Sequence, residues 1–122
     1  MKKIIFMKNK IFIFDLDNTI CKTVGSNYSK SKPKKKIIKL VNKLKNNGHT
    51  IIIYTARYMG RYKGKSNLVK KKYFKKTQKC LVNWGLEFDK LIMGKPQYDY
   101  FIDDKSLNPL KDNLKVKFKK YL

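Results

Sequence analysis

Apolar residues along this chain fall into short dense runs separated by lysine-rich stretches, and the runs show two different periods. Ile11-Phe12-Ile13-Phe14 is unbroken, so Lys10 to Leu16 is predicted as a buried strand. Ile37, Val41 and Leu44 recur at helical spacing, with Ile38 and Leu40 broadening the face. Lys34, Lys35, Lys36, Lys39, Lys43 and Lys45 mostly take the other side, which reads as a solvated helix face. Pro33 is expected at the first helical position and Gly48 just past the end. Thr50 to Tyr54 is the next strand, and a second helix is expected from Asn67 to Trp84, closed by Gly85. Lys90 to Met93 and Asp99 to Ile102 read as two further strands. Pro109 breaks the weaker tail, where Val116 to Phe118 is expected as an edge strand.

That order implies an α/β fold: a three-layer Rossmann-like, mostly parallel sheet with flanking helices. The 122 residues suit one domain over 1–122, with 42% hydrophobic content to fill a core. Sites in such sheets lie outside the carboxyl ends of the strands, where Asp15, Thr55 and Asp103 are all predicted to fall. One connection conflicts with this order. Only Gly94 to Tyr98 separates the last two core strands, whereas a parallel crossover normally takes a dozen or more residues.

Charge changes the picture in two ways. Four of the eight acidic residues form two tight pairs, Asp15/Asp17 and Asp103/Asp104, each ending an apolar run. At ~5 Å and an effective dielectric of ~20, each pair costs about 3 kcal/mol, so a divalent metal with oxygen ligands is the natural partner. The rest of the chain is basic, with a net charge of +23. Either a polyanion partner or the lysine bias of an AT-rich genome accounts for it. Arg57 and Arg61 are the only arginines, and a nucleic-acid reader would use more, so the bias reading is favoured. No apolar run is long enough to span a membrane, and two cysteines, Cys21 and Cys80, fit a reducing cytoplasm. Lys8 and Lys10 interrupt the N-terminal apolar stretch, and Met7 is an alternative start. His49, in a polar Gly48-His49-Thr50 turn, is expected at the surface.

Four stretches then resemble, in order, the motifs of the haloacid dehalogenase-like superfamily of phosphatases. Phe14-Asp15-Leu16-Asp17-Asn18-Thr19 is similar to the first, Ile53-Tyr54-Thr55 to the second, Lys95 in Gly94-Lys95-Pro96 to the third, and Phe101-Ile102-Asp103-Asp104 to the fourth. Asn18 stands where the family most often has Gly, and Asn tolerates unusual backbone angles. The resemblance implies that Asp15 attacks phosphorus and that Asp17 serves as acid, then base. It also implies Thr55 and Lys95 on the phosphoryl oxygens, with Lys105 in reserve for Lys95. Read from its place in the chain, Arg57 could steer substrate or be a solvated loop residue. Mg²⁺ would be held by Asp15, the Asp17 carbonyl, Asp103 and Asp104.

The gaps between motifs leave room for a small flap but no cap domain. The stretches around Thr55, Lys95 and Asp103 are most similar to small phosphatases of capsule and surface-polysaccharide biosynthesis, which implies a sugar phosphate or similar small phosphometabolite as substrate. A homo-oligomer could cover the open site. Two alternatives stand beside this. One is a 3′-phosphatase acting on DNA or RNA, as in polynucleotide kinase-phosphatases, with Tyr58, Tyr62 and Tyr73 stacking bases beside Arg61, Lys63 and Lys65. The other is a non-catalytic, lysine-rich binding module, which the retention of both Asp15 and Asp17 argues against.

Overall fold

A computed structural model describes residues 8–122; the proposed Met7 start lies outside them. In chain order the elements are β1 (Ile11–Phe14), β2 (Cys21–Lys22), β3 (Lys32–Pro33), α1 (Lys35–Asn46), β4 (Thr50–Thr55), α2 (Ser66–Asn83), β5 (Lys90–Met93) and α3 (Leu114–Lys117). β1, β4 and β5 form a parallel sheet in the order β1-β4-β5. The register pairs Phe14 with Ile53 and Thr55 with Met93, so the strands end close to one rim. The fold is α/β and Rossmann-like, a parallel sheet flanked by helices.

Alternation along β4 shows how the sheet is covered. Ile51, Ile53 and Thr55 are buried, while Thr50, Ile52 and Tyr54 between them are half-buried. Ile38, Val41 and Leu44 of α1 and Val69, Thr77 and Leu81 of α2 are buried with that core. Each fully buried aliphatic side chain contributes roughly 1.5–3 kcal/mol. β1 is covered unevenly. Phe14 is buried, but Ile11 and Ile13 are 65% and 62% exposed. The α1 helix ends at Asn46 with Asn47 as its cap, and Gly48, at φ 91°, turns the chain toward β4 as its position predicted.

Four expectations are corrected. Pro33 pairs with Cys21 across the β2–β3 hairpin instead of opening α1. Val116 lies in α3, a helical turn capped by the Asn113 side chain, not in a strand. Residues 99–102 form no strand, because an apolar run becomes one only beside a reachable sheet edge. His49 is buried, not a surface residue: its Nδ1 accepts from the Lys10 N–H at 3.1 Å, and Phe12 and Tyr121 pack edge-on against its ring. Among the described residues no helix is long and apolar enough to cross a membrane.

Candidate active site

The site is built outward from Leu16. This fully buried residue follows β1, and its carbonyl accepts the N–H groups of Thr19, Ile20 and Cys21. The resulting tight turn leaves Asp15 and Asp17 at the carboxyl end of the sheet. Asn18 carries the turn at φ 62°, a conformation Asn tolerates, and its side chain accepts the Thr23 N–H at 3.1 Å.

Asp15 and Asp17 have different surroundings. Asp15 is about one-third exposed, and its Oδ1 lies 3.7 Å from Lys95 Nζ. Burial pushes its carboxyl above the ordinary value of 3.8, while Lys95 and the Leu16 N–H pull it back. Asp17 is clamped. Arg57 Nη2 donates to Oδ1 at 2.7 Å and Nε donates to Oδ2 at 3.1 Å, a two-pronged pairing. The Thr23 hydroxyl donates to the same Oδ1 and is joined at 2.7 Å to Ser31, which accepts from Arg57. Burial alone would lower the Arg57 pKa, but the Asp17 hydrogen bond and charge outweigh it and the net shift is upward. The guanidinium also lies 4.9 Å from the Tyr28 ring centroid.

Thr55 ties these groups to the sheet. Its Oγ accepts the Arg57 N–H at 3.0 Å and its carbonyl accepts the Lys95 N–H at 3.1 Å. Lys95 is therefore held just beyond β5 and is itself buried, its ammonium near Tyr98 Oη and over the Tyr98 and Phe101 rings. Gly94 makes the tight approach possible. It sits at φ 91°, and a Cβ there would come within 2.9 Å of Ser66 Cβ. A cleft of about 420 Å³ is lined by Met59, Gly64, Ser66, Gly94, Pro96 and Gln97, and Lys95 is not part of its lining. The larger groove, between α2 and β5, is lined by Lys70 to Lys72 and Lys90 and does not include the carboxylates.

The structure thus brings together Asp15, Asp17, Thr55, Arg57 and Lys95. The alternative of a solvated loop Arg57 is corrected: the residue is buried against Asp17, because the hairpin closes over it. Lys105 is exposed on a turn. The acidic pair is not brought in. Asp103 and Asp104 are exposed, and Asp103 accepts the Lys105 N–H within its own turn, which lowers its pKa. Among the described residues no three His, Cys, Asp or Glu side chains gather to hold a metal ion. The magnesium set expected from Asp15, Asp17, Asp103 and Asp104 is therefore not assembled within one chain as placed. Of the tyrosines expected to stack bases, Tyr58 is buried and lies against one face of Tyr73 at 3.7 Å, while Tyr62 and Tyr73 are half-buried. Thr23, Ser31 and Tyr28 were not legible as site residues, since a polar loop has no period to mark which hydroxyl turns inward.

Comparison with known proteins decides the lineage. The sequence model for haloacid dehalogenase-like hydrolases matches residues 12–80, more than half of the chain. The chain belongs to the haloacid dehalogenase-like hydrolase family. The crystal structure of a target protein from Vibrio cholerae is similar in fold at a TM-score of 0.78 and 25% identity, over 92% of this chain and 96% of that one. A chain of the Pnkp1/Rnl/Hen1 complex is similar at a TM-score of 0.53 and 19% identity, over 89% of this chain but 34% of that one, a likeness of fold alone. No curated protein matches. Family membership makes the chain a hydrolase, and Asp15 and Thr55 of the site lie within the matched span while Lys95 lies beyond it.

Proposed function

We propose that the protein hydrolyses phosphomonoesters through an aspartyl-phosphate on Asp15, acting on a sugar phosphate or another small phosphometabolite. The observation that carries this reading is the pairing at the rim: a partly exposed Asp15 carboxylate faces a buried Lys95 ammonium, beside an Asp17 held by Arg57. Lys95 and the Thr55 hydroxyl hold the phosphoryl oxygens, and negative charge developing there is met by groups already in place. An Asp15 oxygen attacks phosphorus as the ester P–O bond breaks, and Asp17, in its protonated form and released from the ion pair with Arg57, delivers that proton to the departing alcohol oxygen. Asp17 then takes a proton from water, whose oxygen attacks phosphorus, releasing phosphate and the Asp15 carboxylate. Arg57 and Thr23 hold the ionised Asp17 in the orientation from which it takes the proton of water.

Any magnesium dependence requires Asp103 and Asp104 to reach Asp15, and no step above is routed through the ion. Among the connections only the small β2–β3 hairpin stands between β1 and α1, which supports a site without a cap. The free thiols of Cys21 and Cys80 accord with a reducing, cytoplasmic setting. The deciding experiment is hydrolysis of p-nitrophenyl phosphate, then a panel of sugar phosphates and a 3′-phosphorylated oligonucleotide, by wild type and Asp15→Asn. Wild type is expected to turn over with a preference for the sugar phosphates, and Asp15→Asn to lose on the order of 10³-fold or more. Persistent turnover in Asp15→Asn removes the nucleophile assignment, and absence of any turnover in wild type leaves a binding module.

A further inference from the structure

We propose that residues 99–102 of one copy add as a fourth, parallel strand to the open β1 edge of a second copy, delivering Asp103 and Asp104 beside that copy's Asp15. This rests on the phosphatase reading only for the role of the delivered carboxylates; the strand addition stands on geometry.

β1 is an outer strand of the sheet, and among the described residues nothing pairs with its free side. Ile11 and Ile13 on it are exposed, which an edge strand of a finished sheet avoids. β5 is the other outer strand, but its apolar side chains are covered where those of β1 are not: Leu91 and Met93 are buried. Elsewhere the chain leaves an apolar run without a partner, with Tyr100 86%, Phe101 51% and Ile102 94% exposed. An uncovered edge and an uncovered β-forming segment in one molecule are the two halves of a β-augmentation.

The segment cannot make this pairing on its own chain. Lys95 is pinned to β4 by its bond to the Thr55 carbonyl. A strand beyond β1 lies two positions past β4, three past β5, or about 14 Å sideways from β5, and a parallel one must begin about 13 Å back from the rim. That is a straight-line distance of about 19 Å, before clearing side chains on the sheet. The four steps from Lys95 to Asp99 reach about 14 Å fully extended. An antiparallel strand would be within reach but would carry the acidic pair to the wrong end. A second copy has no such limit, and two copies exchanging the segment close a symmetric pair.

Charge favours the same occupant. Residues 98–104 contain Asp99, Asp103 and Asp104 and no basic residue, in a chain of net charge +23. With Asp103 level with Asp15, the register puts Asp99 beside Ile11, next to Lys10 and Lys8 at the start of β1.

The test combines sedimentation with cross-linking. Ile13→Cys and Phe101→Cys, level with each other and on one face in this register, placed together in a Cys80→Ser background, are expected to give a dimer mass before oxidation and a disulfide-linked dimer after it, absent from either single variant. Both replaced residues are exposed, so folding is not at risk. A monomer mass overturns the proposal, as does a disulfide closed within one chain or no disulfide at all. These readouts hold even if the protein turns over no phosphomonoester. If it does, mixing Asp15→Asn with Asp103→Asn/Asp104→Asn protein under subunit exchange is expected to recover roughly a quarter of wild-type activity, since half the dimers are mixed and each holds one intact site. No recovery counts against delivery of the pair between copies.

Discussion

Arg57 and Thr77 show how single residues acquire roles that their identity does not announce. A guanidinium gripping both oxygens of Asp17 is placed to act through that carboxylate. Arg57→Lys keeps the charge and loses the fork. It is expected to lower kcat about tenfold while leaving KM within about twofold, measured on p-nitrophenyl phosphate. A rise in KM at constant kcat would return Arg57 to substrate binding. Thr77 is buried in α2 with a hydroxyl that has no hydrogen-bond partner. Removing that hydroxyl at constant shape relieves its desolvation, so Thr77→Val is expected to stabilise by about 1 kcal/mol, read as a higher urea midpoint at unchanged slope. A lower midpoint would mean that the hydroxyl is satisfied.

At the scale of elements, the β1 strand and the C-terminal turn meet around His49. Burial lowers its pKa from 6.5, and the charge of Lys10 lowers it further. The unfolded chain therefore binds a proton that the folded one resists. The stabilising contribution is complete above pH 6.5 and is lost as pH falls from there toward the lowered folded value. His49→Phe keeps a ring against Phe12 and Tyr121 but cannot take a proton. Its stability is expected to change less than that of wild type between about pH 7 and pH 5 in thermal unfolding, whatever its absolute stability. Equal slopes would place the His49 ring in water. The elements themselves were largely legible, because β1, α1, β4, α2 and β5 each carry a local period or run. The segment at 99–102 has the same local signal, and its state depends on whether an edge lies within reach.

The whole molecule presents a field set by its net charge of +23, whatever the coding origin of its lysines. A phosphomonoester dianion, the substrate class proposed above, would be drawn through that field to the rim. Raising salt from about 0.02 M to about 0.5 M shrinks the screening length several-fold and is expected to lower kcat/KM roughly tenfold for a dianionic substrate. A salt-independent kcat/KM would mean that encounter is not steered by the lysines. The same field bears on assembly, since two such bodies repel unless an acidic segment lies between them.

From the linear chain came the alternation of strand and helix, the family motifs, and the placement of Asp15 and Thr55 at strand ends. Those features are set by neighbours a few residues apart, through side-chain period and turn chemistry. What folding in three dimensions decided was the clamp between Asp17 and Arg57, forty positions apart, the approach of Lys95 to Asp15, and the burial of His49. It also decided that Asp103 and Asp104 stand apart from the other carboxylates within one chain. Such contacts depend on which surfaces remain uncovered and how far a connector can stretch, and neither quantity is written in local sequence.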